Sequence, residues 1–196
     1  MAKKKIGVLA LQGDFEAHQK ALCEAGACAS LVRHESQLEK VQGLVIPGGE
    51  STTMLKLLRQ NGLYEAIQRF GREHPILGTC AGAILLARQV THPEQESLGL
   101  MDIAVERNAY GRQVDSSVAR LTPEADFERR TEPGELETVF IRAPIIRHTG
   151  AHVKVLACYK GDPILVEEGL HMAATFHPEL TKDLRLHRLF LEKVPE

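Results

Sequence analysis

Three times in its first half this chain carries a short, unbroken apolar run into a glycine-containing turn and then into a helical pattern. The runs are residues 5–11, Gly43–Ile46 and Ile76–Thr79, and the turns are Gln12-Gly13-Asp14, Pro47-Gly48-Gly49 and Cys80-Ala81-Gly82. An apolar run of about four to eight residues suits a strand buried on both faces, and such strands belong to parallel sheets with helical crossovers. One helical pattern starts after Asp14, a suitable N-cap, and ends near Gly26. Others cover residues 51–61, 63–72 and 81–90, and a further strand is expected over 29–33. The order βαββαβα favours a mainly parallel sheet with helices on its faces.

The second half is richer in strands. Candidates cover residues 103–107, 117–121, 138–143, 154–159, 164–167 and 172–176, and a helix from 182 to about 193 closes the chain. Residues 122–137 are polar, highly charged and carry two prolines, which reads as a long exposed loop. With 196 residues there is room for one domain, so the expectation over residues 1–196 is a single α/β domain with a mostly parallel central sheet flanked by helices. Lys and Arg number 24 against 26 Asp and Glu, and the basic residues are dispersed, which argues against a nucleic-acid partner. The run Lys3-Lys4-Lys5 is short and reads as solvation of the first strand. No apolar stretch approaches the roughly 18 residues of a membrane span, and the N-terminus lacks the apolar core of a signal peptide. The expected location is the cytoplasm, with no membrane partner.

Cys23, Cys28, Cys80 and Cys158 form no CxxC pair, so disulfide staples and a zinc knuckle are poor readings. Cys23 and Cys28 in alanine-rich surroundings, and Cys158 in an apolar run, read as small buried hydrophobes. Cys80 differs. Gly78-Thr79-Cys80-Ala81-Gly82 lies where an apolar strand passes into a helix, the setting of a nucleophile elbow. There the glycines let strand and helix backbones approach, and free N–H groups at the helix start favour an anionic sulfur. The same residues also suit a buried cysteine in a tight turn.

A thiolate needs a base. Of nine histidines, His177 stands out because it ends an apolar run and is followed by Pro178 and by Glu179, whose carboxylate can orient the imidazole. His18, His34, His74, His92, His148, His152, His171 and His187 read as surface or hydrogen-bonded structural residues. Pro47-Gly48-Gly49-Glu50-Ser51-Thr52-Thr53 leaves backbone N–H groups unobstructed, as an oxyanion hole requires. It equally suits a strand-to-helix turn with Ser51 or Thr52 as N-cap. The lysine of a phosphate-binding loop is absent, and no His-Glu-x-x-His, paired histidines or acidic calcium loop points to a metal. What remains is covalent acyl chemistry through Cys80.

Together, Pro47-Gly48-Gly49-Glu50-Ser51, Gly78-Thr79-Cys80-Ala81-Gly82 and His177-Pro178-Glu179 resemble the motifs of class I, triad-type glutamine amidotransferases, a flavodoxin-like fold family. Leu11-Gln12-Gly13, Val105-Glu106-Arg107-Asn108, Tyr110-Gly111-Arg112-Gln113, Phe140-Ile141-Arg142-Ala143-Pro144 and Phe176-His177-Pro178-Glu179-Leu180-Thr181 narrow the resemblance to the glutaminase subunits of pyridoxal 5'-phosphate synthases. It covers essentially the whole chain, with departures at Ser116-Ser117-Val118 and over residues 122–137.

The resemblance implies Cys80 as nucleophile, His177 as general base and then acid, and Glu179 as the orienting carboxylate. It implies that Gly49, Glu50, Ser51, Arg107, Ile141 and Arg142 hold L-glutamine, and that backbone N–H groups of Gly49 and Ala81 meet the oxyanion. No metal or organic cofactor is implied, and ammonia is expected to pass to a separate synthase (lyase) subunit in a large hetero-oligomer. Three rivals stand beside this reading: the glutaminase of another synthase such as imidazole glycerol phosphate synthase, a cysteine peptidase or stress protein of similar fold, and a non-catalytic docking subunit. The Val105–Asn108 and Phe140–Pro144 segments argue against the first, His177-Pro178-Glu179 after a strand against the second, and the intact triad against the third.

Overall fold

The computed structural model describes residues 3–109 and 116–195, so the Tyr110–Gln113 motif lies outside the described residues. The chain first lays down β1 (Lys5–Leu9), α1 (Phe15–Glu24), β2 (Cys28–Val32), α2 (Glu35–Leu38), β3 (Gly43–Ile46), α3 (Ser51–Gln60), α4 (Leu63–Phe70), β4 (Ile76–Thr79) and α5 (Ala81–Leu86). It continues with β5 (Ala87–Thr91), β6 (Met101–Glu106), β7 (Ser116–Leu121), α6 (Ala125–Arg130), β8 (Leu136–Ile141) and β9 (Ile145–Thr149). Then come β10 (Lys154–Tyr159), β11 (Asp162–Glu168), β12 (His171–Ala174), a 3-10 turn at Pro178–Leu180 and α7 (Arg185–Lys193).

Seven strands form the central sheet in the order β10-β11-β12-β4-β3-β1-β2. From β2 to β12 neighbouring strands run parallel, and only β11 and β10 extend the sheet antiparallel. This is the mostly parallel α/β architecture expected from the apolar runs. Alternate side chains of each strand enter opposite cores. Ile6, Val8, Val45 and Leu77 meet Leu22 of α1 and Leu186, Leu189 and Phe190 of α7. Leu9, Leu44, Ile46 and Ile76 meet Met54 and Leu58 of α3, Leu63 and Ile67 of α4, and Leu85 of α5. Burying each such side chain is worth roughly 1.5–3 kcal/mol, so packing on the sheet, more than helix propensity, stabilises these short helices.

The second half holds a three-stranded sheet, β5-β6-β9, and the β7–β8 hairpin. Here the structure departs from the sequence expectation. The helix expected over 81–90 stops at Leu86, and Ala87–Thr91 instead pairs parallel with β6. Its continuation is blocked because residues 97–100 fold back over it. The Leu98 and Leu100 amides donate to the Leu85 and Leu86 carbonyls, and Ser97 Oγ donates to the Ala87 carbonyl. Residues 122–137 are no simple exposed loop, since α6 buries Phe127 completely in the α1/α7-side core. The guanidinium of Arg185 lies over the Phe127 ring and donates to the carbonyls of Glu132, Gly134 and Glu135, which pins the segment down.

Three cysteine expectations also change. Cys23 and Cys28 are exposed and Cys158 is half-buried. Cys23 follows the buried His18, Ala21 and Leu22 onto the outer face of α1, while Cys28 begins the sheet's edge strand β2. Asp14 occupies the N-cap position of α1 without a side-chain capping bond.

Candidate active site

β1, β3, β4 and β12 are adjacent in the sheet, and their carboxyl ends deliver Gln12, Gly48-Gly49, Cys80 and His177 to one edge. In doubly wound sheets this is where ligands bind, especially where the chain reverses direction between neighbouring strands. The crossover from β1 packs α1 on one face, whereas those from β3 pack α3 and α4 on the other, which places that reversal between β1 and β3.

Cys80 sits on a strained corner with φ 48° and ψ −106°, a conformation that side chains other than glycine rarely adopt. The corner is held from both sides, since the Cys80 amide donates to the Ala174 carbonyl and its carbonyl accepts from Ile84. α5 can start there only because Gly82 has no Cβ; one would run into the Ile46 carbonyl of β3. Gly48 is needed for a similar reason. A Cβ on it would strike His177 Cε1 and lie 3.2 Å from Cys80 Cβ, in the space between sulfur-bearing and imidazole-bearing chains.

His177 is tied to β8 by its amide, which donates to Val139 O at 2.8 Å. Its Nδ1 lies 2.7 Å from Glu179 Oε1, and the other Glu179 oxygen lies 3.1 Å from Nε2 of His18. Both the Glu179 and His18 side chains are fully buried. Burial opposes a charge on His177, but hydrogen bonds and charge from Cys80 and Glu179 outweigh it and push its pKa up from 6.5 to about 10. Burial would likewise neutralise Glu179, yet its electrostatic contact with His18 and its hydrogen bond to His177 hold its pKa far below the usual carboxylate range. An imidazole so placed, beside a sulfur and backed by a carboxylate, can accept and return a proton at Cys80.

Cys80 and His177 open onto a cleft of about 230 Å³ lined also by Gln12, Gly49, Glu50, Ser51, Ile84, Arg107, Asn108, Ile141, Arg142 and Pro144. Every glutamine-holding residue expected from the sequence is therefore on this cleft. Ala81, the first residue of α5, is buried beside it, and its N–H is among those a helix cannot satisfy internally. Glu179 stands behind His177. The N-cap of α3 is Glu50 rather than Ser51 or Thr52, because its carboxylate reaches the Thr52 and Thr53 amides at 3.0 and 2.6 Å. Those bonds outweigh partial burial and lower its pKa to about 2. Arg107 Nη2 donates to Thr52 Oγ1 at 2.9 Å and stands 3.5 Å from Glu50, while Ser51 Oγ donates to Gln95 Oε1. Gln12 Oε1 accepts the Glu50 amide at 2.9 Å, and the Ile141 carbonyl lies 3.9 Å from the Cys80 sulfur.

His18, His187, Gln95 and the hydroxyl of Thr79 carried no sequence expectation for the site. The one available signal for His18 was its place on α1, on the same helical stripe as the buried Ala21 and Leu22.

A model of the SNO glutamine amidotransferase family matches residues 8–196. Among curated relatives, a pyridoxal 5'-phosphate synthase subunit PdxT of Solibacter usitatus (strain Ellin6076) is 61% identical over 191 residues, 97% of this chain and 100% of that protein. One of the same name from Thermotoga maritima (strain ATCC 43589 / DSM 3109 / JCM 10099 / NBRC 100826 / MSB8) is 48% identical over 196 residues, 97% of this chain and 99% of that protein. A solved structure described as a glutamine amidotransferase superposes with a TM-score of 0.87 at 46% identity, covering 96% of this chain and 97% of that one.

Proposed function

Because the chain belongs to the SNO glutamine amidotransferase family, we propose that it hydrolyses L-glutamine to L-glutamate and ammonia through Cys80, His177 and Glu179. The observation that carries this is the 2.7 Å bond between His177 and Glu179 behind a cleft that Cys80 shares with Arg107, Ile141 and Arg142. Glutamine enters with its side-chain amide toward Cys80, held by Gly49, Glu50, Ser51, Arg107, Ile141 and Arg142. The Cys80 thiolate adds to the amide carbon, and the oxyanion is met by the N–H groups of Gly49 and Ala81. His177 protonates the departing nitrogen, which leaves as ammonia, and a γ-glutamyl thioester remains. His177 then takes a proton from water, the hydroxide adds to the thioester, and collapse releases glutamate and restores the thiolate. General acid–base help is typically worth ~10²–10⁴-fold and an oxyanion donor ~10²–10³-fold.

The relatives are named as subunits of pyridoxal 5'-phosphate synthase. The reading extended to this chain is one glutaminase domain over residues 1–196, without metal or organic cofactor, that passes ammonia to a separate synthase subunit in the cytoplasm. Among the described residues no helix is long and apolar enough to cross a membrane, which is compatible with that location. The test is covalent labelling of the chain, together with the synthase subunit, by a glutamine analogue bearing an electrophilic ketone in place of the amide. One adduct on Cys80, blocked by excess glutamine, is expected; labelling elsewhere, or none, would overturn the assignment of the nucleophile.

A further inference from the structure

The buried chain of contacts does not end at Glu179. His18, on α1, places Nε2 2.9 Å from Thr79 Oγ1 and 3.1 Å from Glu179 Oε2, while its Nδ1 lies 3.3 Å from Nε2 of His187 on α7. Both imidazoles are completely buried. A carboxylate only accepts hydrogen bonds, so His18 must present Nε2 as N–H; a bare nitrogen there would set its lone pair against Oε2. The hydrogen bond of that N–H goes to Thr79 Oγ1, and Glu179 Oε2, which has no hydrogen-bond partner among the described residues, faces it electrostatically at 3.1 Å. The second nitrogen, Nδ1, meets His187, whose burial drives it strongly toward the neutral ring. His187 thus supplies the single partner that settles which His18 nitrogen faces Glu179, as a hydrogen bond at one ring nitrogen sets the role of the other.

We propose that His18 is a positioning residue for glutamine hydrolysis: its Nε2–H faces the second oxygen of Glu179 electrostatically while His177 is hydrogen-bonded to the first, and His187 fixes the tautomer that makes this possible. The inference rests on the glutaminase reading above. When His177 gives its proton to the departing nitrogen, the charge facing Glu179 from that side is lost. A buried carboxylate stripped of its partner is costly, and His18 keeps one partner in place through that step. The titratable groups against Glu179 are His177 on its own turn and His18 of α1. Beyond them Cys80 touches His177, His187 touches His18, and Asp183 adds its charge at His187.

The experiment measures ammonia release from glutamine by the complex with the synthase subunit, over a range of pH, for wild type, His18→Leu, His18→Gln and Cys80→Ala. His18→Leu is expected to lower kcat roughly ten- to a hundredfold, by analogy with the loss when an outer partner that orients a metal-ligating side chain is removed. KM for glutamine should stay unchanged. The acid limb of kcat should move toward neutral pH, because Glu179 keeps only one of its two partners. His18→Gln, whose amide N–H can reach Glu179, should restore most of kcat and the acid limb. If His18→Leu gives no cooperative melt, His18→Asn replaces it; being too short to reach Glu179, it should lose kcat where His18→Gln does not. Unchanged kcat in His18→Leu, or equal losses in the Leu and Gln variants with an unmoved acid limb, would overturn the role of His18. Continued ammonia release by Cys80→Ala would instead overturn the glutaminase reading beneath it.

Discussion

Glu179 keeps its charge in an interior that by itself would neutralise it, because His18 and His177 face its two oxygens. A carboxylate with a depressed folded pKa contributes stability above its unfolded value and loses it as pH falls, so Glu179 makes the fold acid-labile below about pH 4.5. His187 acts in the same direction. Burial lowers its pKa from 6.5 to about 3, so between those values the unfolded chain binds a proton that the folded chain refuses. Through His187 the protein should lose roughly 2 kcal/mol between pH 7 and pH 5. Urea unfolding at both pH values should therefore show a smaller drop for His187→Gln than for wild type, and equal drops would contradict this. His177 has the opposite sign: its raised pKa contributes stability that is complete below pH 6.5 and lost as pH rises through about 10. Glu179→Gln removes one source of that shift, so its unfolding free energy should fall less than wild type's between pH 7 and pH 10. Its kcat should drop by about 10²-fold or more, since the imidazole loses the group that orients it. Cys80, His177 and Glu179 were legible because each sits in a motif a few residues long. His18 was not, since it meets Thr79 and His187 across 61 and 169 positions of chain, a proximity that only the finished sheet creates.

At the scale of elements, the seat of α5 on the sheet depends on the absence of one carbon. Gly82→Ala should cost about 1–3 kcal/mol or prevent folding, because the new Cβ meets the Ile46 backbone carbonyl, which cannot turn aside without breaking β3. Thermal melts check this, and a wild-type melting temperature would refute the packing argument. The strand–turn–helix units of the first half were readable from sequence because buried parallel strands are continuous in apolarity and glycine marks where they end. The boundary of α5 was not readable, because residues 81–90 keep an acceptable helical composition and the element is stopped by residues 97–100 bonding to its last carbonyls. α6 was missed for a related reason. Five of its six residues are polar, charged or small, and Phe127 alone carries it into the core. Phe127→Ala should therefore cost about 3–5 kcal/mol in denaturant unfolding, as for a buried aromatic, whereas a solvent-exposed loop would register almost no change.

At the scale of the whole molecule, the sheet order explains why residues as far apart as Gln12, Gly49, Cys80 and His177 meet: they end adjacent strands at the edge where the chain reverses between β1 and β3. The near balance of 24 basic and 26 acidic residues gives no strong overall field, so recognition of a synthase subunit would rest on local surface complementarity. The described residues that line the cleft all come from this one chain, and the relatives named as synthase subunits tie the proposed chemistry to a partner. Purified chain alone is expected to release ammonia from glutamine feebly, and addition of the synthase subunit to raise that rate severalfold or more. The most direct measurement is thus ammonia release from L-glutamine with the synthase subunit present, comparing wild type with a folded Cys80→Ala variant. Release by the wild type and none by Cys80→Ala is the predicted result; undiminished release by Cys80→Ala would contradict the assignment of glutamine hydrolysis to this site.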